Sequence, residues 1–418
     1  MNILLRSAKI IDNNSKYHNK KMDILIKNGI ISEIGKGIKG PENCREIKLK
    51  NLHVSTGWFD SSVSLGEPGY EERENIAHGL EVAAKSGFTK VAVNPNTKPF
   101  IDNKSAVEFL VQKSKDAAVD LHPIANLTLG AQGKEMAELY DMKNSGAIAF
   151  GDYNKSIENA NLLKIALLYV QNFDGIVMSF PQDGGIGKHG FVNESVNTTR
   201  LGLNSIPNLS EELQITRDLS LLEYTGGKLH IPTITTHKGV QLIKDAKKKG
   251  LDVTCSVAAH HLYLTDEEIS SFDTNYKVNP PLRGLKDTKA LIKGVKDGVI
   301  DMVVSDHNPI DIENKNVEFE NGFFGSIGME SLFGCLGSKM DLEDVILSIT
   351  EKPRKRFNLP VEIIEESHKA ELTLFDPELD YIFEEENILS KSKNSAFLGK
   401  KLKGKAYGII ANKQLILS

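Results

Sequence analysis

Between residues 56 and about 355, short apolar runs alternate with helical stretches, and this alternation constrains the fold more than any other feature. Ile76 to Ser86 reads as a helix ended by Gly87, followed by a strand at Lys90-Val91-Ala92-Val93. In the same way Lys104 to Asp116 leads into Asp120 to Leu127, and Gly133 to Asn144 into Ala147 to Phe150. Ile157 to Gln171 leads into Gly175 to Met178, and Glu211 to Tyr224 into Lys228 to Ile231. Val240 to Lys249 leads into Asp252 to Val257, and Asp287 to Asp297 into Met302 to Val304. Repeated βα units of this kind close into a parallel barrel. The expected fold class is α/β, a (β/α)8 TIM barrel. Side chains just after each strand then share one face, where barrel active sites lie.

The two ends have a different texture. Ile3-Leu4-Leu5, Ile24-Leu25-Ile26 and Ile30-Ile31 alternate with turn residues, and Asn28-Gly29 is a strong hairpin signal. Glu371 to Phe375, Ile409-Ile410 and Leu415 to Leu417 repeat the pattern at the far end. The expectation is a small composite β-sandwich from both termini, residues 1–55 and 356–418, flanking a barrel over 56–355.

The 418 residues suffice for both units, and 40% hydrophobic residues supply ample core. A net charge of -5 argues against nucleic acid as the main partner. No apolar run approaches the ~20 residues that span a bilayer, and MNILLRSAKIIDNN turns polar too early for a signal peptide. Cys44, Cys255 and Cys335 are odd in number and widely spaced, so no disulfide framework is implied. The cytoplasm is the expected compartment.

The stretch Trp58 to Gly69 places a strand end before a Glu67-Pro68-Gly69 turn. Ser62 and Ser64 alternate around Val63 and so face one side. In a barrel, the mouth would hold Ser62, Ser64, Asn96, Asp152, Ser179 or Phe180, Thr233, His260, His261, Asn279, Asp306 and His307. Small hydroxyls are weak metal ligands and supply no base at neutral pH. Pro181 to Asn193, with Gly184, Gly185, Gly187 and Gly190, reads as a mobile loop over this mouth. Its glycine spacing matches no phosphate-binding loop. Lys247 to Lys249 and Lys401 to Lys405 are read as solvated surface.

Several of these places together resemble the dihydroorotase branch of the amidohydrolase superfamily. The family's Asp-x-His-x-His-Leu-Arg-Glu-Pro-Gly run is similar to Asp60 to Gly69, and its Met-Pro-Asn-Thr-x-Pro to Asn94 to Pro99. Asn279-Pro280-Pro281-Leu282-Arg283 stands intact; His260-His261-Leu262, Ser305 to Ile310 and Ile327 to Glu330 also match. The resemblance covers nearly the whole chain. It implies a metal-dependent barrel and reversible closure of carbamoyl-aspartate to dihydroorotate.

The departures carry the functional expectation. The family's first two metal histidines are Ser62 and Ser64, and its carboxylate-gripping arginine is Gly66. The histidines after the fifth and sixth strands fall near Ser179-Phe180 and Thr233, and the last of the Asp-His run is Ile310. Asp152, Asp306, Asn96 and Asn279 remain. Asp152 and Asp306, with Asp60 beside them, are weak metal candidates, and Asp306 is the catalytic candidate if the chain is active. Asn96 and Asn279 are the substrate-binding candidates. Without metal, Asp152 is expected to cap the following helix, His260-His261 to be a buried satisfied pair, and Asp306-His307 a structural pair.

The expectation is therefore a dihydroorotase-like protein without catalysis and without a cofactor. The resemblance suggests a structural or regulatory partnership with aspartate transcarbamoylase, and a homo-oligomer, a dimer. The alternative is an active dihydroorotase, with zinc, using a site rebuilt from Asp152, Asp306, His307 and His260. A third reading is a binding module in which Asn96, Asn279 and Arg283 hold another small molecule.

Overall fold

The computed structural model describes residues 2–418. Trp58–Val63 and Phe88–Val93 are buried at every position, as strands of a parallel sheet covered on both faces must be. With Asp120–Ala125, Ala149–Phe150, Val177–Met178, Leu229–Ile231, Val253–Ala258 and Met302–Val304 they pair in chain order. All of these pairs are parallel. Past the ends of the first and last strands, Val63 bridges to His307, and the Ser64 N–H donates to the His307 carbonyl at 2.7 Å. This contact closes the sheet into a (β/α)8 barrel.

Helices start where short polar side chains take up free backbone donors. Asn75 caps Ile76–Lys85, Asn103 caps Lys104–Lys113 and Thr236 caps His237–Lys248. Inside the barrel, Phe59, Ile124, Met302 and Phe357 form a packed core. The Phe59 and Phe357 rings meet edge to face at 5.9 Å. Among the described residues, no helix is long and apolar enough to cross a membrane.

The second unit is one eight-stranded sheet built from both ends of the chain. His53–Thr56 joins its halves: it runs parallel to Asn2–Ile11 and antiparallel to Leu372–Ile382. Lys401–Ala411 and Gln414–Leu417 extend the sheet on one side, and Lys21–Lys27 and Ile30–Gly35 on the other. Asn28 and Gly29 both have positive φ, +52° and +81°, and join paired Lys27 and Ile30, as a tight hairpin turn requires. A buried ion pair ties the sheet to the barrel. Arg354 Nη2 lies 2.5 Å from Glu371 Oε1 and 2.7 Å from the Gly57 carbonyl, while Lys90 Nζ is 3.3 Å from Glu371 Oε2.

One helix is much shorter than its sequence predicts. Gly133 to Asn144 is helical only over Leu139–Asn144. Gly133 takes φ +66°, and the chain just before it is held by hydrogen bonds to Asp152 that a helix would break.

Candidate functional site

Ser62 and Ser64 do face one side. Both hydroxyls accept from Asn94 Nδ2, at 3.2 and 3.3 Å. Ser62 Oγ donates onward to Asp306 Oδ1 at 3.2 Å. The Tyr153 hydroxyl reaches across the mouth and donates to the same oxygen at 3.1 Å. Below this layer, Asp60 is fully buried and accepts the backbone N–H groups of Ser62 at 3.2 Å and Ser305 at 3.2 and 3.3 Å. The floor of the mouth is thus a closed network of the chain's own side chains.

Burial dominates the electrostatics of this floor. It pushes the Asp60 carboxyl up to about 7, against hydrogen bonds from Ser305 and Ser62. It pushes Asp306 up to about 7 as well, against hydrogen bonds from Tyr153 and Ser62 and helped by the charge of Asp60. The Tyr153 phenol is raised by burial and then by Asp306. Three non-glycine residues here take left-handed φ: Tyr153 at +54°, Thr233 at +53° and Asp306 at +49°. Such backbone costs energy and persists only where its surroundings fix it.

The register after the fifth strand is resolved. Ser179 Oγ donates to Asp218 Oδ2 at 2.6 Å, toward the Asn208–Thr225 helix, whereas Phe180 faces the mouth. With Ser62, Asn94, Tyr153 and Thr233 it lines a cavity of about 20 Å³, room for about one water. At Gly66 a β-carbon would lie 2.0 Å from the Tyr70 carbonyl oxygen. The backbone has closed over that position, and no side chain fits there.

The retained residues take roles that differ from their expected ones. Asp152 caps no following helix; Asn159 caps Ala160–Val170. Asp152 instead accepts from the Leu127 and Thr128 N–H groups and the Thr128 hydroxyl, and so fixes the loop after the third strand. His260 and His261 are buried with ring centres 4.3 Å apart, but only partly satisfied. His261 Nε2 bonds the Pro280 carbonyl at 2.9 Å, while His260 Nε2 and His261 Nδ1 have no partner. Burial pushes both imidazoles down. His307 does not pair with Asp306: its Nδ1 accepts the Gly328 N–H at 3.1 Å. Arg283 is an internal strut rather than a ligand contact. It is buried and donates to Thr235 Oγ1, Asn193 Oδ1 and the Ile206 carbonyl at 3.1, 3.0 and 2.6 Å.

Above the floor the mouth opens into a cleft of about 660 Å³. Asn96 and Asn279 line it, with Asn126, Asp152, Tyr153 and Ile310. The Pro181 to Asn193 segment also reaches it, through Lys188, His189, Gly190 and Phe191. The side-chain oxygens of Asn96, Asn126 and Asn279 are buried and have no hydrogen-bond partner. Sequence reasoning missed Tyr153, Asn94 and Asn126. Tyr153 was the findable one, because it directly follows Asp152 after the fourth strand.

The floor does not fit a zinc centre. It offers the hydroxyls of Ser62, Ser64 and Thr233, an amide and the Phe180 ring. Its mouth-facing carboxylate, Asp306, already accepts two hydrogen bonds. Zinc takes imidazole, thiolate and carboxylate donors, three or four at once. Among the described residues, no group of three or more His, Cys, Asp or Glu side chains is arranged to hold a metal ion.

Comparison with known proteins places this geometry in a class and then in a family. The fold is that of hydantoinase-type barrels. It superposes on L-hydantoinase (dihydropyrimidinase) from Arthrobacter aurescens with a TM-score of 0.84 at 19% identity, covering 100% of this chain and 96% of that one. For D-hydantoinase from Bacillus sp. AR9 the TM-score is 0.83 at 18% identity, with 99% and 95% covered. At such identities the likeness is one of fold. The Dihydro-orotase-like family profile matches residues 53–239. The dihydroorotase of Geotalea daltonii is 36% identical over 420 residues, 99% of each chain. That of Caldicellulosiruptor saccharolyticus is 38% identical, over 99% of this chain and 98% of the other. This chain belongs to the dihydroorotase family.

Proposed function

We propose that this protein is a dihydroorotase-family member of pyrimidine synthesis that has given up hydrolysis and serves as a structural or regulatory partner of aspartate transcarbamoylase. The floor of the mouth carries the reading. Opening or closing a cyclic amide near neutral pH calls for an activated water, and a metal supplies one by lowering its pKa from 15.7 to about 7. Where the resemblance implies histidines, this chain has Ser62, Ser64, Phe180 and Thr233, and the Tyr153 hydroxyl donates to Asp306 Oδ1. Gly66 leaves no room for a carboxylate clamp. What persists is the scaffold, so the role falls to its surfaces, and the partner is the one the family resemblance suggests.

One observation favours the active reading: Asp306, at about 7, is a titrating carboxyl beside the Tyr153 phenol. Dihydroorotate turnover and co-elution with the same organism's aspartate transcarbamoylase separate the two. The proposal expects no turnover above host background and a single larger species with the transcarbamoylase. Turnover that disappears in Asp306→Ala, with two separate peaks at micromolar concentration, would establish the hydrolase instead.

A further inference from the structure

The outer cleft carries a charge imbalance that the floor does not. Lys155, Lys188 and Lys277 line it, and among the described residues none of them forms an ion pair. Lys155 and Lys188 are exposed. Lys155 Nζ donates to the Ala131 carbonyl at 3.3 Å and lies 5.1 Å from the Phe100 ring centre. Lys277 is only 3% exposed. Its Nζ donates to the Phe319 and Glu320 carbonyls at 2.9 and 2.7 Å and lies 4.6 Å from the Phe191 ring centre. The Phe324 and Phe319 ring centres lie 5.2 and 5.6 Å from it, and of its three donors two are taken by carbonyls. Burial pushes Lys277 down to about 8 against the charge of Glu320, because a cation is costly to take from water.

The acidic groups of the cleft do not cancel this. Glu320 stands exposed at the rim, and both Asp152 oxygens are turned to the Leu127-Thr128 segment. Arg73 is already paired with Asp311 at 2.9 Å. Asn126, which also lines the cleft, is 1% exposed, and its Oδ1 has no partner. A buried acceptor left without a donor is unfavourable, and a ligand N–H would relieve it.

We infer that the outer cleft binds a small phosphorylated metabolite bearing N–H groups, its phosphate held by Lys155, Lys188 and Lys277 and an N–H donated to Asn126 Oδ1. Three ammonium groups without carboxylate partners match a phosphate monoester, which carries nearly two charges at neutral pH, better than a single carboxylate. The inference needs neither a metal nor turnover, so it stands or falls apart from the loss of hydrolysis and from the transcarbamoylase partnership.

The test is calorimetric titration of the full chain with inorganic phosphate, glycerol 3-phosphate and succinate, against sodium chloride at matched ionic strength. Lys155→Gln/Lys188→Gln is the paired variant. Both lysines are exposed, so its melting temperature without ligand should equal that of the native protein. The expected result is saturable binding of both phosphates, weakened at least tenfold in the variant, with succinate at least tenfold weaker in the native protein. Heats no different from sodium chloride, or equal affinity in the variant, would overturn the site. Succinate binding as tightly as phosphate would overturn the phosphate assignment.

Discussion

The two levels of the barrel mouth differ in one respect that decides what each can do. In the floor, Ser62, Ser64, Asn94, Tyr153, Asp306 and Asp60 bond mainly to one another and to nearby backbone, and about 20 Å³ is left open. In the cleft just above, about 660 Å³ is open, three carboxamide oxygens lack partners and, among the described residues, three lysines form no ion pair. Polar groups that satisfy each other inside a protein rigidify it. Polar groups left waiting are a cost that a ligand can relieve. The mouth thus holds interlocked structure at its base and unpartnered polar groups at its rim.

The comparison breaks first if the floor is not interlocked. Asp60→Ala removes the acceptor for the buried Ser62 and Ser305 N–H groups. At ~1–3 kcal/mol for each unpaired group, urea unfolding should show a loss of about 4 kcal/mol. A loss below about 1 kcal/mol would mean that the network is loose.

Titration gives an effect of similar or smaller size. Asp306 moves from 3.8 in the unfolded chain to about 7 in the folded one. Between those values the folded state holds the extra proton. Its contribution to stability is therefore complete below pH 4 and lost as pH rises through 7, by at most about 4 kcal/mol at 1.36 kcal/mol per unit. The buried His230 and His261, both held at about 3, act in the opposite sense and weaken the fold as pH falls below 6.5. Comparing Asp306→Asn with the native protein removes that background. The variant should gain relative stability from pH 4 to about pH 7 and level off above it. A flat difference would show that Asp306 is ionised in the fold at all these pH values.

The finer contrast sets one asparagine against another. Asn94→Ala leaves the Ser62 and Ser64 hydroxyls without their shared donor and should cost about 2 kcal/mol. In Asn96, at the rim, Oδ1 is buried with no partner to lose, so Asn96→Ala removes an unpaired acceptor and should not lower stability. Equal losses would erase the distinction between floor and rim.

The sequence made the barrel legible because short apolar runs recur at regular spacing, such as Val91-Ala92-Val93 and Met302–Val304. The hairpin at Asn28-Gly29 and the sheet shared by both termini were legible for the same local reasons. Three features were not. The residues after Gly133 carry a helical pattern, but Asp152, more than twenty residues away from Leu127 and Thr128, holds the chain before them in another path. Ser179 and Phe180 are adjacent, and only the packing of Ser179 on Asp218 decides which enters the mouth. Tyr153 stands in plain view, yet its reach to Asp306 depends on the closure of the barrel, which brings the fourth and eighth strands to one mouth. Local pattern specifies elements; long-range hydrogen bonds specify which side chains meet.

The central claim is that the floor is a self-satisfied scaffold and not a metal centre. Metal content by plasma mass spectrometry, after growth with zinc and dialysis against a weak chelator, tests it most directly. The account predicts a value near zero per chain. One or two equivalents of zinc per chain would contradict it and make Asp306 part of a working hydrolase.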